Sequence, residues 1–350
     1  MRIATVVCLA LVLISACAPQ SAVGQEIRVS HQWAESADGR DRAVRVFVQE
    51  VEARAKGLKF RIHPNSSLKI KPTQLLAALQ TNALEMAVYP LTYAVAKVPE
   101  FSLAGLPGLV PDLDAARALR GSEMHAMLQS LAEAHGFRIV TWWWAPGGFF
   151  AKDLQIFGPA SVRGLSMRAA DPLFERMLVA AGASTSNMPS TDIAAAMRSG
   201  EIDAVATTYE AFMSLRLYEQ AKFATIGSSL FMGFSPLVMS LSAWNKLTPD
   251  QKVAFEEAAA ISDAYFDAVE RDLTRRMEKT LRASGVAIWR MSSEDYQAWL
   301  LLAQQTAWVE YATINPRAQE LLLATVRKVL AGRSDKDALV DSIFGEDKKN

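Results

Sequence analysis

Residues 73–85 read TQLLAALQTNALE, and residues 191–203 repeat the pattern as TDIAAAMRSGEID. Aligned without a gap, the two copies share three identical and five conservative positions of thirteen. Each copy predicts a threonine N-cap, a short helix that ends at Asn82 or Gly200, and a following apolar strand. The repeat indicates two lobes of like construction. The alternative is chance recurrence, because helix–turn–strand units are common in α/β proteins.

The residues before the first copy predict a sheet with parallel strands. Residues 27–31 alternate like a strand, residues 40–56 carry apolar side chains at helical spacing up to Gly57, and residues 58–62 alternate again. A strand, a helix and a strand within about 35 residues form a βαβ unit, which is typical of mainly parallel sheets covered by helices. The sequence therefore predicts an α/β fold.

One long helix is predicted in the C-terminal third of the chain. Thr248 and Gln251 form a capping box around Pro249, and no helix breaker follows before Gly285. A helix of about 36 residues extends roughly 54 Å, which is long enough to run behind both lobes. A break near Ser262, which would give two ordinary helices, is the alternative.

Several candidate ligand-binding residues follow the predicted strands. In open α/β sheets, ligands bind at the carboxyl ends of the strands. Trp33 follows the first strand, Tyr89 follows the strand of the first copy, and Thr207 and Tyr209 follow that of the second. These four residues are predicted to face a cleft. For Trp33, a position in the core is the alternative.

Arg168 is the strongest candidate for contacting a charged ligand. It ends the stretch RGLSMR at residues 163–168, where a short strand meets the next helix. Its planar guanidinium matches a carboxylate bidentately. A surface salt bridge is the alternative. Lys152 is a second cation, and Phe149 near it is predicted to form an apolar wall, with core packing as the alternative.

Composition limits the possible functions. Of 350 residues, 51% are hydrophobic and 21% are charged, as expected for a globular protein. Lys plus Arg and Asp plus Glu both total 37, which excludes a strongly basic nucleic-acid-binding surface as a property of the whole chain. The four histidines lack metal-ligand spacing, and no phosphate-binding loop or nucleophile elbow occurs. We therefore expect no metal and no cofactor, and these absences favour a binding protein over an enzyme.

The first 25 residues are predicted to be a signal peptide. Arg2 precedes a largely apolar run at residues 3–16, which is too short to span a membrane. Both cysteines lie in this segment, so the exported body is expected to lack disulfides. Because Cys17 ends the stretch LISAC, which resembles a lipobox, lipidation of Cys17 and ordinary cleavage both remain open.

Further segments complete a resemblance to the solute-binding proteins of TRAP transporters, the DctP-like extracytoplasmic receptors. The resemblance extends from about residue 27 to 343 and includes LAGLPGL at 103–109, SVRGLSMR at 161–168, residues 188–203, PLVMS at 236–240 and WNKLTP at 244–249. It implies a two-lobed periplasmic binding protein fold (type II-like), with hinge strands joining the lobes and the long helix backing both.

The resemblance also implies lobe boundaries and partners. Lobe I would comprise residues 26–145 and 232–280, lobe II residues 146–231 and 281–343, and residues 344–350 a disordered tail. The protein would capture a small organic acid in the periplasm and deliver it to the membrane subunits of a TRAP transporter. No nucleic acid partner is expected.

The resemblance assigns roles to individual residues. Arg168 matches the arginine that forms a salt bridge with the ligand carboxylate, and Thr207 stands where many members carry asparagine. Ser190 replaces a residue that is often aromatic, which predicts a larger pocket. Lys152 falls near a second basic site. Residues 146–148 (PGG) stand where relatives carry a further arginine, which predicts a less acidic ligand.

Two other functions remain open at this point. The first is an exported two-lobed enzyme that acts through cleft carboxylates such as Glu85 or Asp203. The second is a receptor domain that senses a small organic acid. The repeat argues against the enzyme, because both carboxylates lie at matching turn–strand junctions where a structural role is natural.

Overall fold

The computed structural model describes residues 25–227 and 229–331; the predicted signal peptide, Cys17 and the tail lie outside these ranges. Within them the chain is a mixed α/β structure with two sheets, which confirms the predicted fold class. Their strands are β1 (Gln25–Ser30), β2 (Leu58–His63), β3 (Met86–Val88), β4 (Phe137–Ile139), β5 (Trp144–Ala151), β6 (Ser166–Ala169), β7 (Ser184–Asn187), β8 (Ala204–Thr208), β9 (Phe223–Ile226), β10 (Met232–Phe234), β11 (Leu237–Ser240) and β12 (Ala287–Arg290).

The helices of the described ranges cover the sheets and include one of 35 residues. They are α1 (Gly39–Arg54), α2 (Leu75–Gln80), α3 (Leu113–Leu119), α4 (Glu123–Ala134), α5 (Pro172–Ala180), α6 (Ile193–Ser199), α7 (Tyr209–Ser214), α8 (Leu241–Asn245), α9 (Pro249–Ala283), α10 (Ser293–Ala303), α11 (Val309–Ala312) and α12 (Pro316–Val329). In this part of the chain, no helix has both the length and the apolar character to cross a membrane.

The first sheet has the strand order β2-β1-β3-β11-β4. β1 runs parallel to β2 and β3, as the predicted βαβ unit requires. The helix of that unit, α1, buries Val44, Phe47 and Val51, which are among the apolar positions at helical spacing. The ring of Phe47 meets that of Phe255 on α9 edge to face, with centroids 5.4 Å apart. This packing fixes α1 between the sheet and the long helix.

The second sheet has the order β12-β9-β5-β8-β6-β7, and β10 pairs with β5. β6 is parallel to β7 and β8, whereas β5 is antiparallel to β8 and β9. In the first sheet, β11 is likewise antiparallel to its neighbours. The sheets are therefore mixed rather than mainly parallel. The chain crosses between them from β4 to β5 and from β10 to β11, and both connections are far shorter than the dozen or so residues of a parallel crossover.

The two copies of the repeat form matching units, α2 with β3 and α6 with β8. Asn82 and Gly200 adopt the predicted left-handed conformation, with φ of 53° and 79°. The predicted threonine N-caps are wrong, because 3₁₀ turns at Pro72–Gln74 and Ser190–Asp192 contain the threonines and precede the helices. A proline stands at the start of each turn, and its fixed φ favours this conformation.

The long helix α9 is continuous. Thr248 and Gln251 form both hydrogen bonds of the predicted capping box. Ser262 is buried, and its hydroxyl donates to the carbonyl oxygen of Ala43 at 2.8 Å. The alternative of a break at Ser262 is therefore wrong. Because α9 packs on α1 beside the first sheet and on α7 and β12 of the second half, it backs both halves of the molecule.

The helices after α9 divide between the two halves. α10 packs on α5 beside the second sheet, whereas α12 packs on α3 and α4 beside the first. α12 buries Leu321, Leu322 and Val326, as an amphipathic helix does against a neighbouring layer. The expectation that residues 281–343 all join lobe II therefore needs a correction, because α12 packs with lobe I.

Candidate ligand-binding site

A narrow cleft lies between the two sheets. Its walls come from the residues after β1, β3 and β6, from the end of β8, and from the crossing strand β10, so it lies at the carboxyl ends of parallel strands. Residues of both halves contribute, including Trp33, Pro90, Ala170, Thr207, Phe231 and Phe234. The lining also includes Arg168.

Arg168 is buried in the cleft wall without a counter-ion. Its side chain is 1% exposed, and Nε and Nη2 donate to the carbonyl oxygen of Met188 at 3.0 and 2.7 Å. Nη1 donates to the carbonyl oxygen of Ala206 at 3.3 Å. In the described ranges no carboxylate forms an ion pair with it, and burial lowers its pKa. The alternative of a surface salt bridge is therefore wrong.

This arrangement is costly without an anion. A buried charge is tolerated when an opposite charge and hydrogen bonds compensate it, and carbonyl oxygens supply only the hydrogen bonds. A ligand carboxylate would supply the missing charge and accept bidentate hydrogen bonds from the guanidinium. Arg168 therefore presents a buried cation in the cleft wall, with no carboxylate partner in the described ranges.

Trp33 is both a core residue and part of the cleft wall. Its side chain is 1% exposed, and the Arg40 guanidinium lies 3.9 Å from the ring centroid. Arg40 also lines the cleft and donates to both carboxylate oxygens of Asp38, at 2.8 and 2.7 Å. The sequence analysis did not identify Arg40, since it lies in the first turn of α1 among several charged residues. The available sequence signal was Asp38, a residue type that favours helix N-caps, which marks the start of the helix that carries Arg40.

Ser190 ties the two halves of the molecule together at the cleft. Its hydroxyl accepts a hydrogen bond from Gln32 Nε2 at 2.7 Å, and its backbone N–H donates to the Tyr93 hydroxyl at 3.2 Å. Gln32 and Tyr93 follow β1 and β3 of the first sheet, whereas Ser190 follows β7 of the second. Thr207 lies in the same cleft, almost fully buried. Ser190 therefore lines the cleft as predicted, but its contacts identify it as a link between the halves.

The structure directs three of the aromatic candidates away from the cleft. Tyr89 is fully buried with its ring against Phe137, and Phe149 packs on Trp299 at a centroid distance of 5.1 Å. The Tyr209 hydroxyl accepts a hydrogen bond from the backbone of Gly227 at 3.1 Å. All three lie in the hydrophobic core, which for Phe149 is the alternative stated from the sequence. Side chains alternate between the faces of a strand, so a neighbour of a lining residue points the other way.

The structure does not bring Lys152 to the cleft. In the pairing of β5 with β8, Gly147 lies opposite Thr208 at the cleft end, and Ala151 lies opposite Ala204 at the far end. Lys152 follows Ala151, so it lies five residues from Gly147, which corresponds to about 17 Å along an extended strand. The register of β5 against β8 therefore places Lys152 away from the cleft, and Lys152 does not form the expected second basic site there.

Glu85 and Asp203 have structural partners outside the cleft. Glu85 forms an ion pair with Arg28 at 2.8 Å, and Asp203 Oδ2 accepts a hydrogen bond from the backbone of Ser166 at 2.9 Å. Both acids lie at the amino ends of their strands, opposite the cleft. In the described ranges, no cluster of side chains could hold a metal ion.

Close backbone packing explains the glycines at residues 147 and 148. A Cβ on Gly147 would lie 2.2 Å from the carbonyl oxygen of Thr207, and one on Gly148 would lie 2.2 Å from that of Thr225. Neither position has room for any side chain. An arginine cannot stand in this stretch while β5 pairs with β8 and β9 as it does.

An acidic cluster is buried beside the cleft, where α1, α7 and α9 meet. Glu210 accepts a hydrogen bond from the backbone of Gly39 at 2.5 Å, and the Ser214 hydroxyl donates to Asp38 at 2.7 Å. Glu270 on α9 is fully buried, and neither of its carboxylate oxygens has a hydrogen-bond partner in the described ranges. Burial raises the pKa of Glu210 to about 7 and that of Glu270 well above its usual value.

We expect Glu270→Gln to stabilise the protein, and to do so more at pH 8 than at pH 5. A carboxyl whose pKa is raised by folding contributes fully to stability below its unfolded pKa of about 4.3, and this contribution is lost as the pH rises. Glutamine avoids the buried charge, so the gain at pH 8 should be about 1 kcal/mol or more. Urea unfolding at both pH values measures it.

The exposed Glu256 on the same helix provides the control. Glu256→Gln should leave the free energy of unfolding nearly unchanged at both pH values. A loss of stability in Glu270→Gln, or the same gain at pH 5 and pH 8, would contradict the assignment of a costly buried charge at this position.

Comparisons with known proteins show the family to which the chain belongs. The family model for DctP, described as bacterial extracellular solute-binding protein, family 7, matches residues 29–313. A solute-binding protein of Albidiferax ferrireducens is 31% identical over 304 residues, covering 85% of this chain and 89% of its own length. The C4-dicarboxylate-binding periplasmic protein DctP of Rhodobacter capsulatus is 23% identical over 68% of this chain and 72% of its own.

A solved structure supports the same relationship. The TRAP periplasmic solute-binding protein from Rhodoferax ferrireducens, with bound malonate, superposes with a TM-score of 0.84 at 29% identity. The match covers 91% of this chain and 99% of that one, and it confirms the predicted two-lobed fold. The chain therefore belongs to the DctP family of bacterial extracellular solute-binding proteins, family 7, which serve TRAP transporters.

Proposed function

We propose that the protein captures a small organic acid in the periplasm, with Arg168 as its anchor, and delivers it to TRAP membrane subunits. The observation that carries this proposal is a buried arginine in a cleft with no carboxylate partner in the described ranges. The names of two relatives support an organic acid as the ligand, since one structure holds malonate and one relative is named for C4-dicarboxylate binding.

The fold supports capture by closure of two lobes. We assign lobe I to residues 26–145 and 232–280 together with α12, and lobe II to residues 146–231 and the segment from 281 to α11. The crossing strands β5, β10 and β11 would act as hinges between them. Contacts across the cleft, such as Gln32 with Ser190, would break if the two lobes moved apart. A ligand that bridges both lobes would shift the population towards that state.

The geometry favours binding over catalysis. The carboxylates considered for acid–base chemistry, Glu85 and Asp203, are held by structural partners at the opposite ends of their strands. Micromolar binding requires about 8 kcal/mol. One desolvated ion pair at Arg168, hydrogen bonds from the cleft hydroxyls and apolar contacts can supply this amount.

A thermal-shift screen tests the proposal. Purified, ligand-free protein is heated with monocarboxylates, 2-oxo acids, dicarboxylates and sugar acids. A ligand that binds only the folded state raises Tm. At a ligand concentration of one hundred times Kd, it adds about 2.7 kcal/mol to the free energy of unfolding. We expect a rise with at least one class of acid. If folded, ligand-free protein shows no rise with any acid, the carboxylate pocket is refuted.

A further inference from the structure

We propose that the cleft selects monocarboxylates over dicarboxylates, and that Asp171 enforces this selection. The inference rests on the proposed function, because it names the class of acid that the same site accepts. It follows from the charges in the cleft wall, from the position of Asp171 and from the character of the remaining walls.

The cleft can compensate one negative charge. Its charged lining residues are Arg40, Arg168 and Asp171. Arg40 is already neutralised by the bidentate contact with Asp38, and both side chains are almost fully buried. Moving Arg40 to a ligand would leave Asp38 buried and uncompensated, which is strongly unfavourable. Only Arg168 has no carboxylate partner in the described ranges.

Among the described residues that line the cleft, no other cation is positioned to take a second carboxylate. Lys152 lies beyond the far end of β5, and the glycines at 147 and 148 leave no space for a side chain. A dicarboxylate bound at Arg168 would therefore bury its second carboxylate without an opposite charge. Burying an unpaired carboxylate costs several kcal/mol.

Asp171 makes the cleft still less favourable for a second carboxylate. It is 1% exposed, and its Oδ1 accepts a hydrogen bond from the backbone of Leu173 at 2.8 Å, capping α5. Oδ2 has no hydrogen-bond partner in the described part of the chain. The carboxyl lies against Gly105, where an added Cβ would be 2.9 Å from its Cγ. The carboxyl group is thus fixed in the cleft wall. It can accept a hydrogen bond from a donating ligand group, but as a carboxylate it would repel another carboxylate.

The charge of Asp171 depends on pH. Burial raises its pKa to about 7, so at pH 8 most molecules carry the negative charge. A second ligand carboxylate would then meet a like charge unless Asp171 takes up a proton, which at one pH unit above its pKa weakens binding about tenfold. Measurements at pH 8 therefore show the selection most clearly.

The other walls combine apolar and hydroxyl groups, and none of these groups is charged. Trp33 and Phe231 are among the apolar lining residues, and Thr92 and Ser235 are among the six that carry a hydroxyl. Apolar contact and hydrogen bonds to hydroxyls both stabilise an uncharged ligand group. A ligand with one carboxylate on Arg168 and an uncharged remainder satisfies both parts of the site.

Calorimetric titration at pH 8 with matched acids tests the inference. The probes are propionate with malonate, valerate with glutarate, and benzoate with terephthalate, so that each pair differs by one carboxylate. We expect the monocarboxylate to bind at least about tenfold more tightly in every pair that binds. A dicarboxylate that binds as tightly as its partner, or more tightly, overturns the inference while supporting the proposed function. Absence of binding by all six acids counts against both.

Asp171→Asn tests the role of the aspartate. Asparagine retains the N-cap but removes the charge. We expect the ratio of dicarboxylate Kd to monocarboxylate Kd to fall by about tenfold. Asp171→Ser, another capping residue, serves the same purpose if the asparagine variant does not fold. An unchanged ratio in a folded variant overturns the role of Asp171.

The control is Asp112→Asn. Asp112 is an exposed N-cap, on α3, and its side chain accepts a hydrogen bond from the backbone of Ala115 at 2.7 Å. It lies outside the cleft lining. The same substitution there should leave the Kd ratio at the wild-type value, which separates the charge at the cleft from a general effect of removing a capping carboxylate.

Discussion

Arg168→Ala should lower the affinity for the best-binding acid by roughly 30-fold or more. The ligand carboxylate would lose its only uncompensated cation and two charge-assisted hydrogen bonds. The loss should fall on the whole class of acids rather than on one of them, because every member presents the same group to Arg168. Calorimetric titration of wild type and variant with the same acid measures the change.

Two further variants make this result specific. Arg168→Lys keeps the charge but not the planar fork, so its affinity should lie between those of wild type and Arg168→Ala. Arg163→Ala removes an exposed arginine five residues earlier and should bind like wild type. Circular dichroism and Tm establish that each variant is folded. Wild-type affinity in folded Arg168→Ala would exclude the arginine as the anchor.

Gly148→Ala should lower the free energy of unfolding by about 3 kcal/mol. Its Cβ would lie 2.2 Å from the carbonyl oxygen of Thr225, which belongs to the paired strand β9. Backbone on both sides of β5 is held by strand pairing, so the neighbour cannot move away as a flexible side chain could. The strands would separate locally, and several hydrogen bonds would weaken. Urea unfolding measures the effect.

Gly158→Ala is the matched control. An added Cβ there would have one near neighbour, Asp295 Oδ1 at 3.4 Å, and the backbone does not require glycine. Its free energy of unfolding should stay within about 0.5 kcal/mol of wild type. If the free energy of unfolding of Gly148→Ala also stayed within about 0.5 kcal/mol of wild type, the sheet would accommodate the methyl group. That result would contradict the close packing described for β5.

Local signals in the sequence identified the main elements. The capping box at Thr248 and the absence of a breaker before Gly285 predicted α9 to within two residues. Asn82 and Gly200 ended the paired helices as expected. These signals act within a few residues of the chain, so they can be recognised without knowledge of the tertiary structure.

The directions of the crossing strands could not be predicted in the same way. Nothing in the sequences of β5 and β11 indicates the direction of either strand, and their antiparallel pairing follows from which sheet the chain enters next. That choice depends on contacts between residues distant in sequence. The position of α12 beside α3 and α4 is a similar case, because its apolar face would suit either half.

The candidate site was only partly predictable. Arg168, Thr207 and Trp33 line the cleft because they lie at the carboxyl ends of strands. Tyr89 and Tyr209 satisfy the same rule, but the last residue of a strand sets which face a side chain takes, and sequence does not fix strand ends to one residue. Lys152 required the register of β5, which sequence does not reveal.

One lining residue carried a signal that was visible in the sequence. Asp171 precedes Pro172, and an acidic residue before proline is typical of a helix start. A helix start directly after the Arg168 strand places Asp171 at the same carboxyl end as the arginine. Applying the strand-end rule to this junction would have identified it. For Arg40, the available signal was the N-cap residue Asp38, two positions earlier.

A crystal structure with the best-binding acid tests the central claim most directly. The account predicts the acid in the cleft between the lobes, with one carboxylate about 2.7–2.9 Å from the Arg168 guanidinium nitrogens. Arg40 should remain paired with Asp38. An acid bound elsewhere, or in the cleft with its carboxylate away from Arg168, would contradict the account.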